Sequence, residues 1–321
     1  MSRARRFRAP GTTQLFAFAW RNVRHLPDGL VRALAALAAD VTWLSRTDGV
    51  RRLEANLARL RPDLDARALR RTSRAGMRSY LRYYAEVFQL PGWSEARVDA
   101  RVRATGLDEV RTALEDGSVV LALGHAGNWD LAGAWAARHL TPVLTVAEKL
   151  PDGLYEEFVS FRNALGIEIV PLEGGATFRR LVRRSGAQTF LVPLLADRDL
   201  TAHGIEVDLR GHPARVAAGP AALALARSRP LFAVAIHYER LTGARRRAAG
   251  SPWGIVLNFL PVATTDDGGA RLDVRTLTQA WVTAYFDAIA AFPQDWHMLQ
   301  RVFLADLDLE RLARAQDRER G

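Results

Sequence analysis

The first hundred residues carry apolar side chains at helical spacing. Leu30, Leu34, Leu37 and Val41 recur at intervals of three and four, which predicts a helix with one apolar face. A second helix is predicted over 50–60, before a proline, and a third over 65–88, ended by the next proline. We therefore expect a helical N-terminal region of three helices.

Aromatic and leucine side chains near the N-terminus are interleaved with arginines. The apolar members are Phe16, Phe18, Trp20, Leu26, Leu30 and Trp43, and the basic ones are Arg21, Arg24 and Arg32. Two interpretations stay open: plain packing in the core, and a helix that lies in a lipid interface. The best candidate for a membrane span, 29–44, contains Arg32 and Asp40 and is shorter than the ~20 apolar residues a span needs. With no convincing signal peptide, we expect a soluble or peripheral protein.

From Ser118 the pattern changes to short continuous apolar runs. They are 119–123, 142–147, 167–172, 190–196, 231–236 and 253–262. Such runs are typical of strands buried on both faces, as in a parallel sheet. Helical stretches at 131–139, 154–165, 178–182 and 221–226 separate most of them. The fold class predicted is therefore α/β, with a central, mostly parallel sheet flanked by helices.

The remaining segments complete this expected organisation. We predict a loop over 243–250, a long helix over 273–292, and a charged surface helix from 306. No long polar linker or repeat divides the sequence. We expect one domain over 1–321, in which 1–100 is a helical cap that also contacts the membrane and 101–321 is the α/β core.

Composition narrows the chemistry. The chain has no cysteine, which excludes disulfides, thiolate metal sites and a cysteine nucleophile. Its net charge is +10, and Lys149 is the only lysine among 45 basic residues. The basicity favours anionic surfaces such as phospholipid, phosphorylated substrates or nucleic acid, without choosing among them.

The most informative segment is 119–135, VVLALGHAGNWDLAGAW. A buried strand ends before His125, and Asn128 is placed to cap a helix whose first turn contains Asp130. Parallel sheets place ligand sites at the carboxyl ends of their strands. We expect His125 and Asp130 to face one another there, so that the carboxylate fixes the tautomer of a histidine base. The alternative is a histidine at a strand end and an aspartate that favours a helix N-terminus.

A second polar cluster follows another buried strand. Asp197, Arg198 and Asp199 should reach the same edge of the sheet, where they could orient His125 or hold a cationic partner. A solvated turn is the alternative interpretation. Strand alternation places both aspartates on one side.

An ordered set of motifs resembles a known family. HAGNWD matches the HxxxxD pattern of glycerolipid-type acyltransferases, and its setting resembles the branch that contains bacterial lipid A late acyltransferases and actinobacterial phosphatidylinositol mannoside acyltransferases. The other matching stretches, in order, are Glu148–Lys149, FRNALGIEIVPLEGG at 161–175, LLADRDL at 194–200, ARVAAGPAALALA at 214–226 and PQDW at 293–296. HxxxxD alone is a weak pattern, whereas the ordered set is fairly specific.

The resemblance implies roles for individual residues. His125 would be the general base and Asp130 its orienting carboxylate. Asp199, or Asp197 if the alignment shifts, would complete the site. The resemblance also places Glu148 and Arg162 near the acyl and acceptor pockets, and Asp197 and Arg198, which follow a buried strand, are further candidates for substrate binding.

The same resemblance implies an O-acyltransferase that needs no cofactor. The arginine- and alanine-rich composition is typical of actinobacteria, which favours the phosphatidylinositol mannoside branch. The donor would then be acyl-CoA and the acceptor a mannose hydroxyl of a glycolipid, with direct transfer at the cytoplasmic face of the inner membrane. Another glycolipid acceptor, with acyl carrier protein as donor, is the alternative.

Other classes of protein fit the sequence less well. A nucleic-acid-binding protein would concentrate its basic residues in a recognisable module, whereas these arginines are spread over the chain. The sequence lacks the GxSxG pentapeptide of serine hydrolases and the glycine-rich patterns of nucleotide enzymes. For a metal hydrolase, only His203 and His212 lie close together. We therefore expect no metal and no nucleic acid partner.

Overall fold

The N-terminal region consists of three helices. The computed structural model of the protein describes residues 22–147, 154–199, 201 and 203–307. A short 3₁₀ turn, Val23–His25, precedes α1 (Asp28–Leu44), α2 (Asp48–Leu60) and α3 (Ala66–Gln89). The side chains of Thr47 and Asp65 cap α2 and α3 by accepting hydrogen bonds from backbone N–H groups. The three predicted helices are confirmed.

Helix α1 packs on α3 through one side only. Val31 and Ala39 are buried, and Asp40 pairs with Arg74 and Arg78 of α3. The other side carries five exposed apolar residues, which we call the leucine stripe: Leu30, Leu34, Leu37, Val41 and Leu44, each 48–67% exposed. In the part of the chain that the structure describes, no helix is both long and apolar enough to cross a bilayer.

A seven-stranded sheet forms the centre, in the order β1-β9-β8-β2-β5-β3-β4. Its strands are β1 (Val102–Thr105), β2 (Val119–Leu123), β3 (Val143–Ala147), β4 (Ile167–Pro171), β5 (Leu191–Leu195), β8 (Leu231–Arg240) and β9 (Trp253–Val262). All neighbouring pairs are parallel except β8 and β9. A separate antiparallel hairpin consists of β6 (Ile205–Leu209) and β7 (His212–Val216). The predicted α/β class is confirmed.

Helices cover both faces of the sheet. They are α4 (Glu95–Arg101), α5 (Leu107–Glu115), α6 (Trp129–His139), α7 (Leu154–Ala164), α8 (Gly175–Ala187), α9 (Gly219–Arg227), α10 (Gly243–Ala249) and α11 (Val274–Ile289). Alternate side chains of β2 enter different cores. Val120 and Ala122 join a core with α9 and α11, and Leu121 and Leu123 join a core with α6. Burial on both faces explains the continuous apolar runs.

Some elements differ from the sequence-based expectation. The predicted loop over 243–250 is wrong, because Gly243–Ala249 forms helix α10. Arg97 and Arg101 donate to its last carbonyl, that of Ala249, and Gly250 ends it in the left-handed conformation. Strand β1, helix α5 and the β6–β7 hairpin were not predicted. The tail expected as a surface helix lies outside the described residues from 308 onward.

Candidate active site

Strand register brings His125 beside Asp197. Strands β2 and β5 are parallel neighbours in which Leu123 pairs with Leu195. The chain continues two residues beyond each of these to reach His125 and Asp197. The backbone N–H of His125 donates to Asp197 Oδ2 at 2.9 Å, and its ring Nδ1 lies 2.7 Å from Asp197 Oδ1. The carboxylate therefore holds both the backbone and the ring of His125.

Asp197 is fully buried and receives a third hydrogen bond, from the indole Nε1 of Trp296 at 2.9 Å. Burial by itself would raise the pKa of Asp197, but the charge of His125 and the hydrogen bonds from His125 and Trp296 outweigh it, so the pKa lies below the usual value. An ionised carboxylate only accepts hydrogen bonds, so Nδ1 of His125 carries the proton. In the neutral form of the ring the basic lone pair is then on Nε2, and the His125 side chain is 36% exposed.

Close packing shapes the turn that presents His125. A Cβ at Gly124 would lie 2.1 Å from the Tyr285 hydroxyl, so only glycine fits there. Gly127 adopts a φ of +59° with its Cα against Ile236, which also requires glycine. Asn128 then starts α6 by accepting the backbone N–H of Leu131 at 3.0 Å, as predicted.

The segment 293–297, PQDWH, fixes this turn from the other side. Gly127 N–H donates to the carbonyl of Asp295 at 3.0 Å, and His297 N–H donates to the carbonyl of His125 at 2.7 Å. Trp296 between them bonds to Asp197. PQDW was visible in the sequence as part of the family resemblance, but nothing in the sequence indicated its place in the site. Its only signal was a conspicuous motif at the end of a helix.

A buried relay connects this segment to α3. Ser79 donates to Asp295 Oδ1 at 2.6 Å and lies 2.9 Å from His297 Nε2. Since the single serine proton goes to Asp295, His297 donates from Nε2. Burial raises the pKa of Asp295 to about 6, although the hydrogen bonds from Ser79 and the Tyr238 backbone oppose the rise. Burial lowers the pKa of His297 to about 3, which keeps its ring neutral.

Asp130 makes different contacts from those expected. Its buried carboxylate accepts from the Tyr83 hydroxyl at 2.8 Å and from Nε and Nη2 of Arg162, both at 2.7 Å. The expectation that Asp130 is the carboxylate oriented against His125 is therefore corrected. In the first turn of α6 its side chain reaches α3 and α7, whereas His125 lies against the residues that follow β5.

Aromatic rings lie between the Asp197–His125 pair and the Asp130–Arg162 pair. The ring of Tyr83 packs on that of Trp129 with centroids 3.9 Å apart, and Trp129 meets His125 edge-on at 5.6 Å. Behind them, Glu86 is buried and accepts from Asn128 Nδ2 and from the Tyr238 hydroxyl, both at 2.9 Å. Tyr83 and Glu86 belong to α3, so the N-terminal helices contribute directly to the site. The sequence predicted this helix but gave no indication that it belongs to the site.

An apolar cavity opens beside these residues, between the sheet and α6. It holds about 660 Å³ of empty space, including its open mouth. The lining side chains are mostly aliphatic or aromatic; they include Leu121, Leu123, Gly133, Ala136, Val143, Ile167, Leu191, Val234 and Phe259. Asp130, Arg162 and Trp129 also line it, at the end of α6 next to His125. This combination of an apolar pocket with a few polar groups is typical of a ligand site.

The other predicted site residues lie away from the His125 ring or outside the described residues. Asp199 accepts the backbone N–H of Thr201 at 2.7 Å, so its side chain closes a turn. Arg198 is half-buried in the same loop. Glu148 lies outside the described residues. Of the two aspartates left open by the sequence, Asp197 is the one that bonds to His125. The described residues contain no group of histidine and carboxylate side chains suited to a metal.

Comparisons with known proteins agree with these motifs. Residues 1–305 match the family model of bacterial lipid A biosynthesis acyltransferases. A phosphatidylinositol mannoside acyltransferase of Mycolicibacterium smegmatis is 37% identical over 303 residues, which is 93% of each chain. One of Mycobacterium tuberculosis H37Rv is 36% identical over 313 residues, 96% of this chain and 93% of the relative. The resemblance recognised in the sequence is confirmed: the chain belongs to the bacterial lipid A biosynthesis acyltransferase family and is an O-acyltransferase.

Proposed function

We propose that the chain transfers a long-chain acyl group from acyl-CoA to a mannose hydroxyl of a phosphatidylinositol mannoside. The names of the relatives support this acceptor, since they match over more than nine-tenths of the chain. The observation that carries the mechanism is the hydrogen-bonded pair of His125 and Asp197 next to an apolar cavity. Transfer of an acyl group from a long-chain thioester requires a base for the acceptor hydroxyl and a binding site for the alkyl chain.

His125 is the general base in this proposal. Its Nε2 takes the proton of the hydroxyl as the oxygen attacks the thioester carbonyl, a contribution of ~10²–10⁴-fold in rate. Asp197 balances the charge of the imidazolium that forms. When the tetrahedral intermediate collapses, the C–S bond breaks and the imidazolium returns its proton to the thiolate. Transfer is direct, with no acyl-enzyme and no cofactor.

Arg162 is positioned to stabilise the oxyanion. It lies in the lining of the cavity at the end nearest His125, and Asp130 holds its guanidinium through two nitrogens. A fixed cation close to the developing negative charge lowers the barrier without reorganisation. In this proposal the aspartate of HxxxxD acts on the arginine, and Asp197 acts on the histidine.

The cavity is the proposed site of the acyl chain. Its lining residues come from six strands, from α6 and, at Arg162, from α7, so an alkyl chain there would replace contact with water by contact with aliphatic side chains. Each buried methylene contributes ~0.8 kcal/mol, which favours long-chain donors.

We propose that the enzyme is peripheral and works at the cytoplasmic face of the membrane, where its acyl-CoA donor is found. The leucine stripe on α1 supports this location, because five exposed apolar residues on one side of a helix suit insertion among lipid headgroups.

Transfer of radiolabelled palmitate from palmitoyl-CoA to a phosphatidylinositol mannoside tests the proposal. We expect transfer by the wild type and its loss in His125→Ala. His139→Ala, which removes a half-exposed histidine from the far end of α6, is the control and should keep the activity. Transfer that persists in His125→Ala with the same acceptor would refute the general-base mechanism. An inactive wild type would refute the acceptor.

A further inference from the structure

Two arginines stack on one tryptophan at the end of the β8–β9 pair. The guanidinium carbon of Arg82, on α3, lies 3.7 Å from the Trp253 ring centroid and 4.6 Å from that of Tyr238. The guanidinium of Arg240 lies 4.1 Å from the Trp253 centroid. Arg240 and Trp253 are directly paired across the two strands. Three elements, α3, β8 and β9, therefore build this cluster, which we call the arginine clamp: Arg82, Arg240 and Trp253.

The clamp arginines differ from their neighbours in having no acidic partner. Arg103 and Arg245 both pair with Glu239, and Arg101 pairs with Glu86. Within the described ranges, neither Arg82 nor Arg240 makes an ion pair. Stacking on the indole fixes the planes of the guanidinium groups but leaves their N–H edges available. Such edges bind the oxygens of a phosphate in bidentate fashion.

The clamp lies at the same edge of the sheet as the candidate active site. Strand β8 pairs with the end of β2 at Val234 and then continues to Arg240, so its last residues extend past the edge from which His125 projects. Arg82 directly precedes Tyr83, whose ring packs on Trp129. Burial is the largest influence on the pKa of both Asp295 and His297, and the positive charge of Arg82 acts on both as well: it opposes the rise at Asp295 and adds to the fall at His297. Arg82 therefore adjoins the residues around His125, and Arg240 and Trp253 lie further out at the same edge of the sheet.

The two arginine sites lie on different sides of His125. Arg162 belongs to α7, which packs on β4, whereas the clamp belongs to β8, β9 and α3. In the sheet, β4 and the β8–β9 pair lie on opposite sides of β2. None of the three clamp residues lines the cavity, so an alkyl chain held there leaves the clamp to the acceptor.

We propose that the arginine clamp binds the phosphodiester of the acceptor lipid and so holds the acceptor with its sugar at His125. This inference rests on the proposed function for the identity of the acceptor. It adds a phosphate-recognition site, which the hydroxyl-activating pair does not provide. A phosphodiester carries one negative charge and two free oxygens, which suits two guanidinium groups held in fixed planes.

Binding of glycerophosphoinositol, a soluble phosphodiester that cannot be acylated on mannose, tests the clamp without catalysis. Calorimetry would compare the wild type with Arg82→Gln, Arg240→Gln and Arg82→Lys. We expect each glutamine variant to bind about tenfold more weakly, and Arg82→Lys to retain part of the affinity because it keeps the charge without the planar fork. Arg183→Gln, which removes an exposed arginine of α8, should bind like the wild type. Equal binding by all variants would overturn the proposal.

A kinetic comparison separates failure of the clamp from failure of the proposed function. Deacylated phosphatidylinositol mannoside has the phosphodiester, and methyl mannoside lacks it. We expect the glutamine variants to lose about tenfold in kcat/KM on the first acceptor and to be unchanged on the second. The affinity of the same variants for coenzyme A is also measured, because coenzyme A contains phosphates that the clamp could bind. A loss confined to coenzyme A would assign the clamp to the donor and overturn the proposal, whereas an inactive wild type would refute the acceptor and leave the calorimetric result valid.

Discussion

His125 gains its chemistry from a carboxylate that is distant in the chain and adjacent in the sheet. Asp197 bonds to the backbone N–H and to Nδ1 of the same histidine, so it fixes the position of the residue together with its tautomer. A neutral imidazole protonated on Nδ1 offers Nε2 as the base. Trp296 restrains Asp197 in turn. The reactivity of one ring nitrogen thus depends on three segments of the chain.

Asp197→Asn tests this dependence. An asparagine can donate its amide to Nδ1 and thereby favour the tautomer in which Nε2 is protonated and is no longer a base. We expect kcat to fall by about 10²–10⁴-fold with little change in KM. Steady-state kinetics would measure the fall in kcat. Asp108→Asn is the control, because the Asp108 side chain is fully exposed. Unchanged kcat in a folded Asp197→Asn protein would contradict the assignment.

His297 makes the stability of the protein depend on pH. Burial lowers its pKa from 6.5 to about 3, so the unfolded chain takes up a proton that the folded one excludes. A depressed pKa contributes stability that is present above pH 6.5 and is lost as the pH falls toward 3. The loss is about 1.4 kcal/mol per pH unit within this window.

Chemical denaturation of the wild type and His297→Gln between pH 7 and 4 would test this dependence. Glutamine can still donate a hydrogen bond to Ser79 and does not titrate. We expect the wild type to lose free energy of unfolding relative to the variant as the pH falls. The comparison also controls for Asp295, whose raised pKa acts in the opposite direction in both proteins. A difference that does not change with pH would exclude His297 as the cause.

At the scale of elements, the sequence predicts those helices and strands whose apolar residues follow a regular pattern. The continuous apolar runs predicted every strand of the central sheet except β1, because strands buried on both faces leave a pattern that needs no partner to be recognised. Helix α10 was missed, since arginine side chains from α4 hold an arginine-rich, glycine-flanked segment in place. Tertiary contacts of this kind leave no local pattern.

Strand order explains which part of the site could be predicted. Each strand end was visible in the sequence, and so were His125 and the aspartates after β5. The sequence did not show that β5 is the neighbour of β2, because the pairing of strands that are distant in sequence depends on the topology of the whole sheet. Asp130, four residues along from the turn, therefore looked like the partner. The structure pairs it with Arg162, and Asp197 takes its expected place.

Helix α6 connects the turn that contains His125 to the interior of the cavity. It starts at Trp129, near His125, and Ala136 lines the cavity seven residues further on, about 10 Å along the axis. We expect Ala136→Leu to shorten the space for the acyl chain. Activity with palmitoyl-CoA should fall at least tenfold, at ~0.8 kcal/mol per methylene displaced, while decanoyl-CoA is used as before.

A series of acyl-CoA chain lengths would measure the change in preference. Ala134→Leu is the matched control, because Ala134 is buried on the same helix but does not line the cavity. General overpacking costs 1–3 kcal/mol of stability in either variant and lowers activity without regard to chain length. A change of chain-length preference in both variants, or in neither, would dissociate the cavity from the acyl chain.

Across the whole molecule, three features suit a single lipid substrate. The cavity suits an alkyl chain, the arginine clamp suits a phosphate, and the leucine stripe suits a bilayer surface. The stripe belongs to α1, which packs on α3, and α3 supplies Arg82 to the clamp and Tyr83 to the site. The N-terminal helices thus connect the leucine stripe to the residues around His125.

Replacement of the leucine stripe should separate membrane binding from chemistry. Leu34 and Leu37 are 51% and 61% exposed, so they contribute little to the core. In Leu34→Glu/Leu37→Glu, lost apolar burial of about 1–2 kcal/mol per leucine should weaken partitioning to vesicles roughly 100-fold. Flotation with vesicles of phosphatidylglycerol and phosphatidylethanolamine would measure it. Thr283→Glu, on an exposed position of α11, is the charge control.

The same variant should keep its activity on methyl mannoside, because no residue of the stripe is among those that line the cavity. High salt should not abolish the binding that the stripe provides, since apolar burial is not screened, whereas binding through arginines weakens with ionic strength. Unchanged vesicle binding, together with loss of self-association in the double variant, would instead make the stripe a contact between two copies of the chain. Flotation at two salt concentrations and light scattering in the absence of lipid distinguish these outcomes, because only a membrane surface requires lipid for the effect to appear.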